Sequence, residues 1–152
     1  MERSLTVADY QALAELRYQI RKFLHFSEEA ARRSGLEPRQ HQLMLSLKGL
    51  PHGVRPSITE LAQRLQIQHH SAVELVNRLA RGGYVRRERA GEDRRAVLLT
   101  LTRKGERILK ELSLDHRAEL RVQGPALIAA LRRTIQMSKN RKNSSSRAAS
   151  KT

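Results

Sequence analysis

The chain has 152 residues, with 30 Lys and Arg against 15 Asp and Glu, a net charge of +15 with histidine neutral, and only 3% aromatic residues. That length suits one small domain with accessory helices, and a core confined to Leu, Ile, Val and Ala suits helices better than a sheet sandwich. The absence of Cys excludes disulfides, cysteine zinc sites and thiol chemistry, while no apolar run nears the ~18 residues of a membrane span and the N-terminus lacks the pattern of a signal peptide, so a soluble cytoplasmic protein is expected.

Residues 7–33 carry Leu13, Leu16, Ile20, Phe23, Leu24 and Ala31 at three- and four-residue steps, the pattern of an amphipathic helix. Ser34-Gly35 ends it. A second helix starts after Glu37, with Pro38 in its first turn and Leu43, Met44 and Leu47 on its apolar face. Two Gly and two Pro make residues 49–56 a loop. Ser57-Ile58-Thr59-Glu60 has the form of a capping box, with Thr59 as a rival cap. It opens a short helix through Leu65. After a turn at 66–68, a further helix places Ala72, Leu75, Val76 and Leu79 inward, and Gly82-Gly83 stops it.

The period then changes. Residues 84–89 and 96–101 read as two strands around a Gly- and Asp-containing turn at 90–95, making a hairpin. Thr102 caps a helix carrying Ile108, Leu109, Leu112 and Leu120. Gly124-Pro125 is expected to interrupt it, before a last helix with Leu127, Ile128, Leu131 and Ile135. From Ser138 the composition is Ser, Asn, Lys and Arg, the signature of a disordered tail.

Five of the basic residues lie in that tail with no acid, which leaves +10 on the preceding residues. Such an excess suits a polyanion, because a basic group at a phosphate releases condensed counterions. Two short helices, a tight turn and a hairpin form a winged helix-turn-helix. Its second helix must turn an apolar face inward and show polar side chains to base edges. The outward set is Gln68, His69, His70, Ser71, Glu74, Asn77 and Arg78. Glu74 either accepts from a cytosine amine or pairs with Arg78, four residues on.

The runs Thr59-Glu60-Leu61-Ala62, Leu75-Val76-Asn77-Arg78-Leu79 and Asp93-Arg94-Arg95 through Leu99-Thr100-Leu101-Thr102-Arg103-Lys104-Gly105 resemble the MarR family of winged helix-turn-helix transcription regulators over about residues 8 to 137. Gln66 departs from the Gly that many relatives carry in the turn, and His69-His70 from their small polar pair. The resemblance implies a mainly α fold with a small β-hairpin wing. Arg95 of the wing, beside Arg94, would enter a minor groove and be held by Asp93. Helices 7–33 and 102–137 would be dimerisation helices flanking a DNA-binding module at 37–101, with 138–152 a basic disordered tail.

The same resemblance implies a homodimer on palindromic double-stranded DNA, acting as a repressor released by a small anionic or aromatic effector, with no membrane partner and no cofactor. Arg17, Arg21 and His25 recur on one side of the first helix and are candidates to face an anionic effector, although a solvated face explains them as well. When bound to DNA, such a protein is associated with the nucleoid.

Other functions leave fainter traces. No Gly-rich phosphate loop, nucleophile elbow or His-x-x-x-His pair points to an enzyme. A metal-responsive regulator would use His41 and His116 with Asp115 and Glu119, since His and carboxylate ligands suit zinc. A non-specific architectural binder would rely on the tail's charge.

Overall fold

The structure, a computed structural model, describes residues 4–91 and 93–148, with side chains described for residues 4–91 and 96–137. Five helices and one hairpin follow in the order α1 (Val7–Arg33), α2 (Pro38–Lys48), α3 (Ile58–Leu65), α4 (His69–Arg81), β1 (Val85–Ala90), β2 (Asp93–Leu101) and α5 (Arg103–Ala148). This is a mainly helical winged helix-turn-helix fold. The chain packs as two compact units, residues 1–26 with 116–152 and residues 27–115.

Helix α1 begins at a reciprocal cap. Thr6 Oγ1 accepts from the Asp9 backbone at 3.3 Å, while Asp9 Oδ2 accepts from the Thr6 backbone at 2.7 Å. It ends as Gly35 takes φ +79 and the Leu36 N–H returns to the Ala31 carbonyl, the wrap that satisfies orphan carbonyls at a helix terminus. In α2 the Gln40 side chain accepts from the Glu37 N–H at 2.9 Å.

Between the two candidate caps of α3, Ser57 is the one used. Its Oγ accepts from the Glu60 N–H at 3.2 Å, and Glu60 turns away to pair with Arg64 at 2.8 Å.

The core of the 27–115 unit is made by Leu43 and Met44 of α2, Leu61 of α3, Val76 and Leu79 of α4, Leu99 of β2 and Leu112 of α5, all essentially free of solvent. Helix spacing predicts the helical positions among these, because residues three and four apart share one face. The first unit differs. Among the described residues its buried ones are Ala12, Gln19 and Ala130, while Leu13, Ile20, Leu24, Leu120, Ile128, Leu131 and Ile135 lie on the surface of the single chain. There α1 and α5 touch through Phe23 and Phe26, whose rings meet His116 edge-on at 5.9 and 5.6 Å. The Thr134 hydroxyl reaches the Ala12 carbonyl at 3.3 Å.

Three expectations need correction. Gly124-Pro125 does not end a helix: α5 is continuous, with Pro125 inside it. A proline there removes one backbone donor and crowds the preceding turn, but a long helix continues when its other bonds remain. The helical backbone also runs through Ala148, past the point where disorder was expected, and no Gly or Pro follows Pro125 to break it. The hairpin is tighter than the composition indicates. β1 extends to Ala90, β2 starts at Asp93, and a bulge falls between Arg89 and Ala90.

The hairpin root is tied on both sides. On the outer edge Leu98 bridges to Ser57, and the Leu99 N–H donates to the Pro56 carbonyl at 2.9 Å. On the other side, three successive carbonyls after α4 are each taken. Gly82 O accepts from Lys104 Nζ at 2.8 Å, Gly83 O from Thr102 Oγ1 at 2.6 Å, and Tyr84 O from the Thr102 N–H at 3.0 Å. Thr102 Oγ1 also accepts from the Gly105 N–H at 3.1 Å, so one hydroxyl caps α5 and holds the end of α4. Lys104 Nζ lies 4.4 Å from the Tyr84 ring centre, within cation–π range.

Gly105 admits this approach, since a Cβ there would sit 2.1 Å from Tyr84 O. Ala has the better helix propensity by about 1 kcal/mol, yet forcing the backbones apart costs about 1–3 kcal/mol and weakens three hydrogen bonds. Gly105→Ala is therefore expected to lower unfolding stability by about 2 kcal/mol. Urea titration checks this, and equal or greater stability would show that the contact relaxes freely.

Candidate nucleic-acid interface

The turn between α3 and α4 is set by a residue that is not glycine. Gln66 closes α3 at φ 53, ψ 45, in the left-handed region. The Ile67 N–H returns to Ala62 O at 3.0 Å, so the backbone makes the same wrap that glycine would allow. The turn is thus of the usual shape despite the substitution, at a steric cost of roughly 1 kcal/mol. Ala62, buried on α3, leaves room for the close crossing of α3 and α4.

Helix α4 starts after Gln68 and buries Ala72, Leu75, Val76 and Leu79. Its opposite face shows His70, Glu74 and Arg78 exposed, with Ser71 and Asn77 half-buried, and Gln68 and His69 exposed at its start. Arg81, which the sequence reading left out, is also exposed. It stands four residues after Asn77 and seven after Glu74, so the spacing already places it in the same row. Arg86, Arg87 and Arg89 of β1 are likewise exposed and extend the cationic surface onto the hairpin.

Two of the expected reading residues have intramolecular partners. Asn77 Oδ1 accepts from Arg87 of β1, which ties α4 to the hairpin. Arg78 pairs with Glu37 at the start of α2, at 2.9 and 3.1 Å to the two carboxylate oxygens. The alternative pairing of Glu74 with Arg78 is thus replaced by a long-range one. Asp93, Arg94 and Arg95 belong to the β2 backbone, and their side chains lie outside the described residues.

The remaining candidates scatter. Arg17, Arg21 and His25 are all exposed on α1. A cleft of about 720 Å³ instead opens between α2, the end of β2 and α5. Leu45, Leu101 and Leu109 give it an apolar floor, and Lys48, Arg103 and Lys110 are among its basic residues. None of the three α1 candidates lines it. His41 is buried in α2 and His116 sits against Phe23 and Phe26. Among the described residues no three His, Asp or Glu side chains come together to hold a metal ion, so the zinc alternative lacks a ligand set there. No described helix is long and apolar enough to cross a membrane.

Residues 34–96 match the MarR family. No curated protein matches the sequence significantly. Among solved structures, AbsC, a MarR family transcriptional regulator from Streptomyces coelicolor, is 21% identical with a TM-score of 0.70, covering 99% of this chain and 100% of that one. A MepR mutant from S. aureus, bound to an oligodeoxyribonucleotide, is 15% identical with a TM-score of 0.61, covering 93% and 99%. A mutant MarR from E. coli, complexed with operator DNA, is 21% identical with a TM-score of 0.56, covering 68% and 75%.

The left-handed turn residue yields a direct test. Gln66→Gly removes the steric cost and should be at least as stable as the parent, because the loss of about 0.5–1 kcal/mol to chain entropy is offset. A β-branched side chain tolerates positive φ least, so Gln66→Val should lose about 1–2 kcal/mol. Thermal unfolding ranks the three, and a glycine variant less stable than the valine variant would contradict the turn geometry.

Proposed function

From a chain whose 34–96 segment is of the MarR family, we propose a sequence-specific, double-stranded DNA-binding regulator that acts as a homodimeric repressor on palindromic operators. The observation that carries this reading is the outward polar face of α4, held beside an arginine-rich hairpin by the carbonyl interlock at residues 82–84. A base-reading helix and a wing are useful together only if their spacing is fixed. The solved complexes of a mutant MarR with operator DNA and of a MepR mutant with an oligodeoxyribonucleotide support a DNA partner for this chain. The reading is of a binding protein and not an enzyme.

His70 and Ser71 are the residues proposed to read bases, with Gln68, His69 and Glu74 around them. Selection from a random duplex library is the deciding experiment. The protein should enrich an inverted repeat, and His70→Ala or Ser71→Ala should relax one position in each half-site, a loss of about 1–3 kcal/mol of discrimination. Unchanged preference in both variants would refute base reading by this helix.

The wing adds charge. Arg95 is proposed to enter the minor groove and Asp93 to orient it. Arg95→Ala should weaken binding to all duplexes and make the salt dependence shallower by about one unit of slope. Asp93→Ala should act in the same direction, although it removes a negative charge. Tighter binding by the Asp93 variant would show that Asp93 only repels phosphate.

The homodimer rests on the apolar residues that the first unit leaves on its surface, among them Leu13, Ile20, Leu24, Leu120, Ile128 and Leu131. Water contact with so many large apolar side chains is costly, and a two-fold partner would remove it. Ending the chain before Ala126 should abolish the dimer in sedimentation, and ending it after Ser138 should not. A stable monomer of the full chain would refute the proposal.

Release by a small anionic or aromatic effector is supported by the α2–β2–α5 cleft, which combines an apolar floor with basic side chains.

A further inference from the structure

Arg78 lies on the outward side of α4, and its guanidinium is already occupied. Its Nη1 bonds both oxygens of the Glu37 carboxylate, at 2.9 and 3.1 Å. The two side chains remain 47% and 58% exposed, a setting in which an ion pair contributes little stability. The Glu37 backbone is fixed independently, because the Gln40 side chain holds its N–H. The Glu37 side chain also belongs to the capping box that opens α2, a role that glutamine and aspartate, both oxygen acceptors, can keep.

What the carboxylate does is occupy Nη1 and offset the charge of a guanidinium on the outward face of α4. Ser71, Glu74 and Arg78 follow one another at steps of three and four residues, so Arg78 continues the row they begin. Carboxylates and phosphates both accept charge-assisted hydrogen bonds from guanidinium. A DNA phosphate arriving at this flank competes with Glu37 for Nη1 and for the charge of the guanidinium. Glu74, four residues from Arg78, offers a second carboxylate, yet Glu37 holds the contact.

We propose, resting on the DNA-binding reading above, that Glu37 sets the affinity of the interface. Its carboxylate stands in for a DNA phosphate on Arg78, and binding exchanges one for the other. The exchange carries no base information, because phosphate contacts position and do not specify. It lowers affinity for every sequence alike. In a chain with a net charge of +15, that restrains non-specific retention while leaving base reading intact.

Fluorescence anisotropy on the full chain tests the exchange. The probes are a duplex recovered by selection and an unrelated duplex of equal length, at about 0.1 M salt, where charges more than about 10 Å apart are largely screened. Glu37→Gln should bind both duplexes about two- to five-fold tighter, the gain expected from removing a surface ion pair of this kind. Glu37→Asp keeps the negative charge but shortens the reach by one methylene, and should show part of the gain. In an Arg78→Ala background both gains should vanish. Thermal unfolding of each variant confirms that it is folded.

A gain that persists undiminished without Arg78 would mean simple repulsion between Glu37 and DNA, and would overturn the exchange. Unchanged or weaker binding by Glu37→Gln would overturn it as well. Failure of the parent protein to bind either duplex would instead sink the DNA-binding reading, and the exchange with it.

Discussion

The end of α4, the root of the hairpin and the first turn of α5 meet at three consecutive carbonyls, those of Gly82, Gly83 and Tyr84. Thr102 and Lys104 donate to all three. Each such bond contributes about 0.5–1.5 kcal/mol, and more where the ammonium donates. Their larger consequence is geometric. The Thr102 hydroxyl is at once the cap of α5 and a donor to the end of α4, so neither helix terminus shifts without the other. Gly105 allows the backbones to approach closely enough for this to happen. The spacing between α4 and the hairpin follows from that contact, and the outer tie from β2 to Pro56 and Ser57 holds the opposite side.

Four ion pairs lie on this frame. Lys48 pairs with Glu106, Arg64 with Glu60, Arg78 with Glu37 and Arg86 with Glu88. These exposed pairs add little to stability. They matter because they decide which cations face a polyanion directly and which must first leave a partner. The α4 face carries both signs, with Glu74 and Arg81 seven residues apart along the helix.

The unit containing residues 1–26 and 116–152 follows a different rule. Among the described residues its buried positions are small or polar, Ala12, Gln19 and Ala130, and many of its large apolar side chains are exposed. Helix periodicity alone predicts an apolar stripe, but not whether the stripe finds its cover within the chain. Here the small Ala12 and Ala130 are buried, and many of the wider Leu and Ile residues stay on the surface of the single chain.

The sequence by itself determined the elements whose signals are local. The steps of α1 to α4, the stop at Gly82-Gly83, the cap at Thr102 and the buried set Leu43, Met44, Val76 and Leu79 follow from periodicity and capping chemistry, which act within a few residues. The capping-box spacing pointed to Ser57, with Thr59 as a rival, and the folded chain uses Ser57. Gly124-Pro125 misled because a proline's cost is spread along a helix with many other bonds. The candidate reading face was legible in outline, and Arg81 was legible too by spacing. What only the tertiary structure decided were the partners of Asn77 and Arg78. Arg87 lies ten residues away and Glu37 forty-one, on elements whose approach depends on packing, and no pattern along the chain encodes a contact made across that distance.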